Sequence, residues 1–266
     1  MEYDVFIRPG SQLGNIMFMY AFCSYYAMKH NMTPYIVTDG LKRIWIDQYK
    51  RTHIFNKMNV IDHYNKDYFT IKPQTYSREY VDFSHTPCCN IKLDGLFQSP
   101  KYWNNDKNFC MDLFYPNNDL IDEIKRIYSD IDFNSTISIH MRRTDFFLYM
   151  KKYVNTIDYI NNIIERYVDD EKTFIILSDD IQWCKHNMKD PRFVFAERCS
   201  EKYPKIIIDM FIMTLCKGNI VNNASTFSWW GSYLNNNPGR KVYYSSKNIK
   251  LFDFIPENDG WVDTCF

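Results

Sequence analysis

Apolar and polar positions fall along the chain in blocks that predict strands separated by helices. Val5-Phe6-Ile7 is a short apolar run stopped by Pro9-Gly10, and Gly14-Asn15 opens a long segment of helical periodicity from Ile16 to about His30. Tyr35-Ile36-Val37 reads as a second strand. From Lys42 to Asn90 the chain is mixed and charged, and no element stands out. Ile91-Lys92-Leu93 predicts a strand closed by Asp94-Gly95, followed by an aromatic loop from Phe97 to Trp103. Asp119 to Tyr128 then predicts a helix, and Ile131 to Ser135 a connector.

Beyond the connector the alternation is regular. Strands are predicted at Thr136 to His140, Thr173 to Leu177, Arg192 to Ala196, Asn219 to Asn222 and Lys241 to Tyr244. Helices are predicted at Thr156 to Tyr167, Ile181 to Met188, Lys205 to Cys216 and Thr226 to Leu234. Strands separated by helices imply a parallel sheet covered on both faces. The chain therefore reads as α/β, with two Rossmann-like halves meeting near residue 132. Ligands of such sheets sit beyond the carboxyl ends of the strands.

Composition narrows the function classes. The 266 residues are 45% apolar and 24% charged, which are globular values. Lys+Arg and Asp+Glu balance at 32 each, so nothing resembles the one-sided field of a nucleic-acid binder, and no nucleic-acid partner is expected. The 8 cysteines lack C-x-x-C or H-x-x-x-H spacing, which argues against a structural zinc site and for reduced thiols in a cytoplasmic protein. No signal-peptide pattern opens the chain, and no apolar run reaches the ~18–20 residues needed to cross a bilayer. Asn-x-Ser/Thr matches at Asn31, Asn134 and Asn223 are read as chance in an Asn-rich chain.

Four polar clusters carry the candidate chemistry. His140-Met141-Arg142-Arg143-Thr144-Asp145 ends a strand in two guanidiniums, which suit a leaving diphosphate; the alternative is a surface pair bridged to Asp145. Ser178-Asp179-Asp180 also ends a strand, and reads either as ligand contacts or as helix caps. Asp209 is an acid in an apolar helix that needs a partner if buried, and its carboxylate would suit the paired N–H donors of a guanine. It is followed by Asn223-Ala224-Ser225-Thr226-Phe227-Ser228-Trp229-Trp230, whose hydroxyls crowd a helix start, a natural phosphate site. The competing reading of that stretch is a capped helix with core tryptophans. Gly10-Ser11-Gln12-Leu13-Gly14-Asn15 fits neither a P-loop nor a G-x-G-x-x-G turn, so triphosphate hydrolysis and nicotinamide chemistry find no support.

In chain order these segments resemble glycosyltransferase family 11, the α-1,2-fucosyltransferases. Gly10 to Ala21 is similar to the family's G-x-L-G-N-Q-M-F-Q-Y-A turn and helix, His140 to Asp145 to H-x-R-R-x-D, Ser178 to Cys184 to S-D-D-x-x-W-C, and Asn223 to Gly231 to N-S-T-F-S-W-W-G. Gly95 to Tyr102 resembles G-Y-F-Q-S-x-K-Y. Ile16 and Met19 stand where the family has glutamines, and Ser11-Gln12 replaces a glycine-containing pair, which touches acceptor identity more than donor identity.

The resemblance implies a GT-B architecture, two Rossmann-like domains with the active site in the cleft between them: an acceptor-side domain at 1–132 and a GDP-fucose-binding domain at 133–266, with about the last 20 residues packing back on the first. It implies an inverting transfer of L-fucose from GDP-β-L-fucose to the 2-hydroxyl of a terminal galactose, without cofactor or obligatory metal. Arg142, Asn15 and Asp145 are then the catalytic candidates, with Asp94 and Asp39 as further possible bases. Donor binding falls to His140, Arg142, Arg143, Ser178, Asp179, Asp180, Asp209, Asn223, Ser225, Thr226, Phe227 and Ser228. Gly14, Asn15, Phe97 and Gln98 face the acceptor. The implied partners are a nucleotide sugar and a galactose-terminated oligosaccharide or glycolipid precursor, handled in the cytoplasm or at the inner membrane face. Another GDP-sugar or acceptor hydroxyl, or a catalytically silent GDP-sugar binder, are the alternatives.

Overall fold

In a computed structural model, the structure describes residues 2–38, 54–73, 80–83, 87–144, 155–168, 172–222, 224–246, 255–256 and 259–265. The chain divides into two compact units, 1–116 with 251–256, and 117–250 with 257–266. The division falls ahead of the expected residue 132 because the helix Asn118–Ile127 (α3) packs on the helix Lys205–Leu215 (α6) of the second unit. Its apolar face, Leu120 and Ile124, is fully buried.

The first unit holds a five-stranded parallel sheet. Asp4–Ile7 (β1) lies at its centre, flanked by Thr33–Val37 (β2) and Ile91–Leu93 (β5), with Asn59–Ile61 (β3) and Phe69–Ile71 (β4) outermost in the order β3-β2-β1-β5-β4. The helix Leu13–His30 (α1) covers β1 and ends at Asn31, whose φ of 52° is the left-handed stop that asparagine tolerates. Phe18, Tyr20, Phe55, Trp103 and Phe114 fill the core beneath it. Among the described residues this unit also holds a 3₁₀ turn, Pro100–Trp103, and the helix Lys107–Phe114 (α2). The aromatic loop thus contains a turn capped by Ser99, and α2 is an element the sequence pattern did not single out.

The second unit is a six-stranded parallel sheet in the order β11-β10-β9-β6-β7-β8. Its strands are Thr136–Met141 (β6), Thr173–Ser178 (β7), Phe193–Phe195 (β8), Gly218–Ile220 (β9), Lys241–Tyr244 (β10) and Trp261–Asp263 (β11). Every residue of β6 is buried, as a strand sandwiched between helix layers must be. On one face Ile137, Ile139 and Met141 pack with Ile160, Ile163 and Ile164 of the helix Ile157–Tyr167 (α4) and Cys184 of the helix Ile181–Asn187 (α5). On the other face lie α6 and the helix Thr226–Tyr233 (α7), with Trp229 stacked on Tyr233 at 4.5 Å. Trp229 and Trp230 are core residues, at most 1% exposed, as the plainer of the two sequence readings had it.

A buried amide network fixes this second face. Asn219 Nδ2 donates to Ser138 Oγ at 2.7 Å and to the Met213 carbonyl at 2.9 Å, and Asn235 Nδ2 donates to the Cys216 carbonyl at 2.8 Å and to Asn219 Oδ1 at 3.0 Å. Asn237 Nδ2 takes the Leu215 and Cys216 carbonyls at 2.9 and 2.8 Å. The carbonyls at the end of α6 are thereby satisfied by side chains. All eight cysteines are free. Among the described residues, no helix is long and apolar enough to cross a membrane.

Candidate functional site

Strand order locates the crevice in each unit. In the second unit the chain runs outward from β6 to β7 and β8, then crosses back to lay β9, β10 and β11 on the other side of β6. The carboxyl ends of β6 and β9 therefore part at a topological switch point, the place where open parallel sheets bind ligands. In the first unit the chain leaves β1 toward β2 and β3 and enters β5 from the outer strand β4 on the other side, so β1 and β5 are the neighbours at which the strand order reverses.

At the β6/β9 switch the backbone turns out of β6 through Arg142, Arg143 and Thr144, and Asp179 holds that turn. Its carboxylate accepts the N–H of Arg143 at 2.8 Å, the N–H of Thr144 at 3.1 Å and the Thr144 hydroxyl, and pairs with Arg142 Nη1 at 3.1 Å. Burial alone would raise the Asp179 pKa; the Thr144 hydroxyl, the Arg143 N–H and the Arg142 charge outweigh it and keep the group below the usual carboxylate range. Arg143 lies with its guanidinium 3.2 Å over the Trp183 ring, and its Nε is 3.9 Å from Asp180. Two charged forks are thus fixed at a strand end by stacking and by a clamp from the neighbouring strand.

Ser178 and Asp180 serve the scaffold. Ser178 Oγ donates to the Met141 carbonyl at 2.7 Å and accepts the Asp180 N–H at 3.0 Å, tying β7 to the end of β6. Asp180 caps α5 by accepting the Trp183 N–H at 3.2 Å. Of the two readings of this segment, capping holds for Asp180, while Asp179 reaches across to the arginine turn.

His140 points from β6 toward α7, 5% exposed, with its ring 5.3 Å from that of Phe227. Burial pushes its imidazole down to about 4, with Asp179 opposing and Arg142 adding to the shift, so it is neutral at neutral pH. Ser225 caps α7 by accepting the Ser228 N–H at 3.4 Å. Ser228 is fully buried and its hydroxyl is engaged with Asn222 and Ser225, so its role is to shape the turn. Thr226 and Phe227, half-buried, stand at the α7 start, where N–H groups and the helix dipole favour an anion.

Asp209 lies in α6, 9% exposed, and its partner is Lys205 one turn earlier, with Nζ 2.6 and 2.7 Å from the two carboxylate oxygens. Burial raises the Asp209 pKa to about 6 against the lowering influence of Lys205. Lys205 was absent from the residues singled out in sequence; the i,i+4 spacing on a helix was the available signal. Asp145, Asn223 and Asp39 lie outside the described residues.

In the first unit the β1/β5 switch brings Asn15 and Gln98 together. Gln98 Nε2 donates to Asn15 Oδ1 at 2.7 Å, and Asn15 Nδ2 donates to Ser11 Oγ at 2.6 Å. Gln98 Oε1 is buried and has no partner among the described residues. Gly14 is buried in the first turn of α1. Phe97 does not join this polar group: 3% exposed and in the left-handed region at φ 49°, it packs on Phe22 and Tyr102 at 4.6 and 5.3 Å. The bend at Phe97 turns the next side chain, Gln98, toward Asn15. Asp94, at the end of β5, is about half exposed beside Lys92 at 3.3 Å.

A family model, glycosyl transferase family 11, matches residues 5–259. The chain belongs to this family. It is 32% identical to the O-antigen biosynthesis glycosyltransferase WbnK of Escherichia coli over 54% of this chain and 50% of that protein. It is 28% identical to an α-1,2-colitosyltransferase of Escherichia coli over 65% and 62%. The chain therefore matches between half and about two thirds of the length of these curated relatives. Among solved structures it resembles the α-1,6-fucosyltransferase NodZ of Bradyrhizobium, in a crystal soaked with GDP-fucose, with a TM-score of 0.59 at 15% identity over 88% of this chain and 93% of that one. The fold is of the GT-B type.

Proposed function

We propose that this family 11 glycosyltransferase is an inverting α-1,2-fucosyltransferase, moving L-fucose from GDP-β-L-fucose to the 2-hydroxyl of a terminal β-galactoside. The observation that carries the reading is the Arg142–Arg143 turn, clamped by Asp179 and stacked on Trp183 at the β6/β9 switch. Two fixed guanidiniums beside a helix start suit a leaving diphosphate. As the fucose C1–O bond loosens, Arg142, Arg143 and the N–H groups at the α7 start take up the charge growing on GDP, and the acceptor hydroxyl attacks from the opposite face. This neutralisation needs no metal.

Guanine lies against neutral His140 and Asp209, its N1–H and N2–H₂ replacing Lys205 on the carboxylate. Asn15, held by Ser11 and Gln98, stands on the acceptor side. Asp145 is the base candidate, with little demand on it if bond breaking runs ahead of attack. The acceptor is an oligosaccharide or glycolipid precursor, and the work is done in the cytoplasm or at the inner face of the membrane.

The test is incubation with GDP-fucose, GDP-mannose or UDP-galactose and lactose in excess EDTA, following nucleotide release and product mass. Fucosylated lactose from GDP-fucose alone supports the reading; tight GDP-fucose binding without turnover would assign a silent binder. A second reading, transfer of colitose, is favoured by the colitosyltransferase relative. A GDP-colitose sample in the same panel separates it from fucosyl transfer.

A further inference from the structure

Two buried amides at the carboxyl end of β9 are half satisfied. Asn155, just before α4, and Asn222, just after β9, are 4% and 2% exposed. Asn155 Nδ2 donates to the Val221 carbonyl at 2.8 Å, and Asn222 Oδ1 accepts the Ala224 N–H at 3.4 Å. These bonds fix both amide orientations, because a flip would set oxygen against carbonyl in the first and NH₂ against N–H in the second. What remains is an acceptor, Asn155 Oδ1, and a donor, Asn222 Nδ2, each buried and without a partner among the described residues.

Both amides are tied to the same short stretch, Val221–Asn222, at the carboxyl end of β9. Native interiors rarely leave such groups unpaired, and an unpaired group at a binding crevice calls for a ligand. His140 Nδ1, across the switch on β6, is a third buried atom in this state. A neutral donor and a neutral acceptor anchored on one stretch of backbone do not select a phosphate, which the arginines already serve. They match hydroxyl groups, which both give and accept a hydrogen bond.

We propose that Asn155 and Asn222 bind the hydroxyl groups of the nucleotide sugar, Asn222 Nδ2 donating to a hydroxyl oxygen and Asn155 Oδ1 accepting a hydroxyl proton. The proposal rests on the β6/β9 crevice being the donor site. The hydroxyls come from the ribose or from the transferred sugar, and the two sources separate by experiment.

Titration calorimetry with GDP and with GDP-fucose is run on the wild type, Asn155→Ala, Asn222→Ala and Asn222→Asp. The last keeps an oxygen for the Ala224 N–H but turns the free donor into a carboxylate oxygen and brings a negative charge, so Asn222→Ala is the variant that removes the donor without adding charge. Each variant is expected to weaken GDP-fucose binding at least tenfold, about 1.4 kcal/mol. An equal loss for GDP assigns the ribose; a loss for GDP-fucose alone assigns the transferred sugar. Folded variants with wild-type affinity for both ligands overturn the proposal. If the variants do not fold, a crystal structure of the wild type with GDP-fucose decides: ligand oxygens within 3.5 Å of both amides, the ordinary limit of a hydrogen bond, are expected, and only water there overturns it. A wild type that binds neither ligand defeats the donor-site reading itself, and this inference with it.

Discussion

Replacing Asp179 by asparagine tests how the arginine turn is built. The carboxylate serves four donors, the N–H groups of Arg143 and Thr144, the Thr144 hydroxyl and Arg142 Nη1. An amide offers one oxygen, and its NH₂ would face donors at the other position. Charge-assisted bonds contribute roughly 1.5–3 kcal/mol each, less where solvent screens them, and the Asp179 side chain is 19% exposed. Losing about half the set disfavours the native turn by about 2–3 kcal/mol. At 1.36 kcal/mol per decade, turnover falls about 30- to 200-fold. The assay is kcat and KM for GDP-fucose with a galactoside acceptor, beside a thermal melt. Asp179 acts through the arginines, so kcat carries the loss, and Asp179→Glu, which keeps the charge, recovers part of it. A folded Asp179→Asn within threefold of wild type would refute the clamp.

Asp209 gives a pH signature. Its folded pKa of about 6 lies above the ordinary carboxylate value, so the folded state holds a proton that the unfolded state releases, and this group's contribution to stability declines as pH rises from about 4 to about 6. The form that accepts two guanine donors is the anion; GDP affinity is therefore expected to weaken as pH falls through about 6, and to lose that step in Asp209→Asn, as calorimetry across pH will read. Trp183→Leu removes the ring under Arg143, a contact of about 0.5–2 kcal/mol, and lowers kcat about 2- to 30-fold with little change in melting temperature. Gly231→Ala puts a methyl group 2.9 Å from Met213 Cβ and 2.5 Å from its Cε, overpacking α6 against α7; denaturant melts are expected to show a loss of about 1–3 kcal/mol.

The second unit was legible because short strand-like segments, such as the unbroken apolar run Phe174-Ile175-Ile176-Leu177 of β7, recur between segments of helical period, while Thr156, Asp180 and Ser225 mark helix starts as caps. The first unit was less so. β3 and β4 are three residues each, with no buried position between them, and leave no pattern to detect. The helix α3 was visible, yet its apolar face does not say which unit it covers, and that choice moves the boundary. Site residues divide in the same way. The arginines announce themselves as polar groups at a strand end, and Asn15 and Gln98 through the family motifs they stand in, whereas the reach of Asp179 to a turn 36 residues away depends on strand order. Burial decides Phe97, Lys205 and Asn155, and an Asn-rich chain hides which asparagines are buried.

The most direct test of the account is the NMR spectrum of the product isolated after incubation with GDP-fucose and a β-galactoside. An α-configured fucose on O2 of galactose is predicted; a β-configured fucose, another linkage, or fucose released only to water would contradict it.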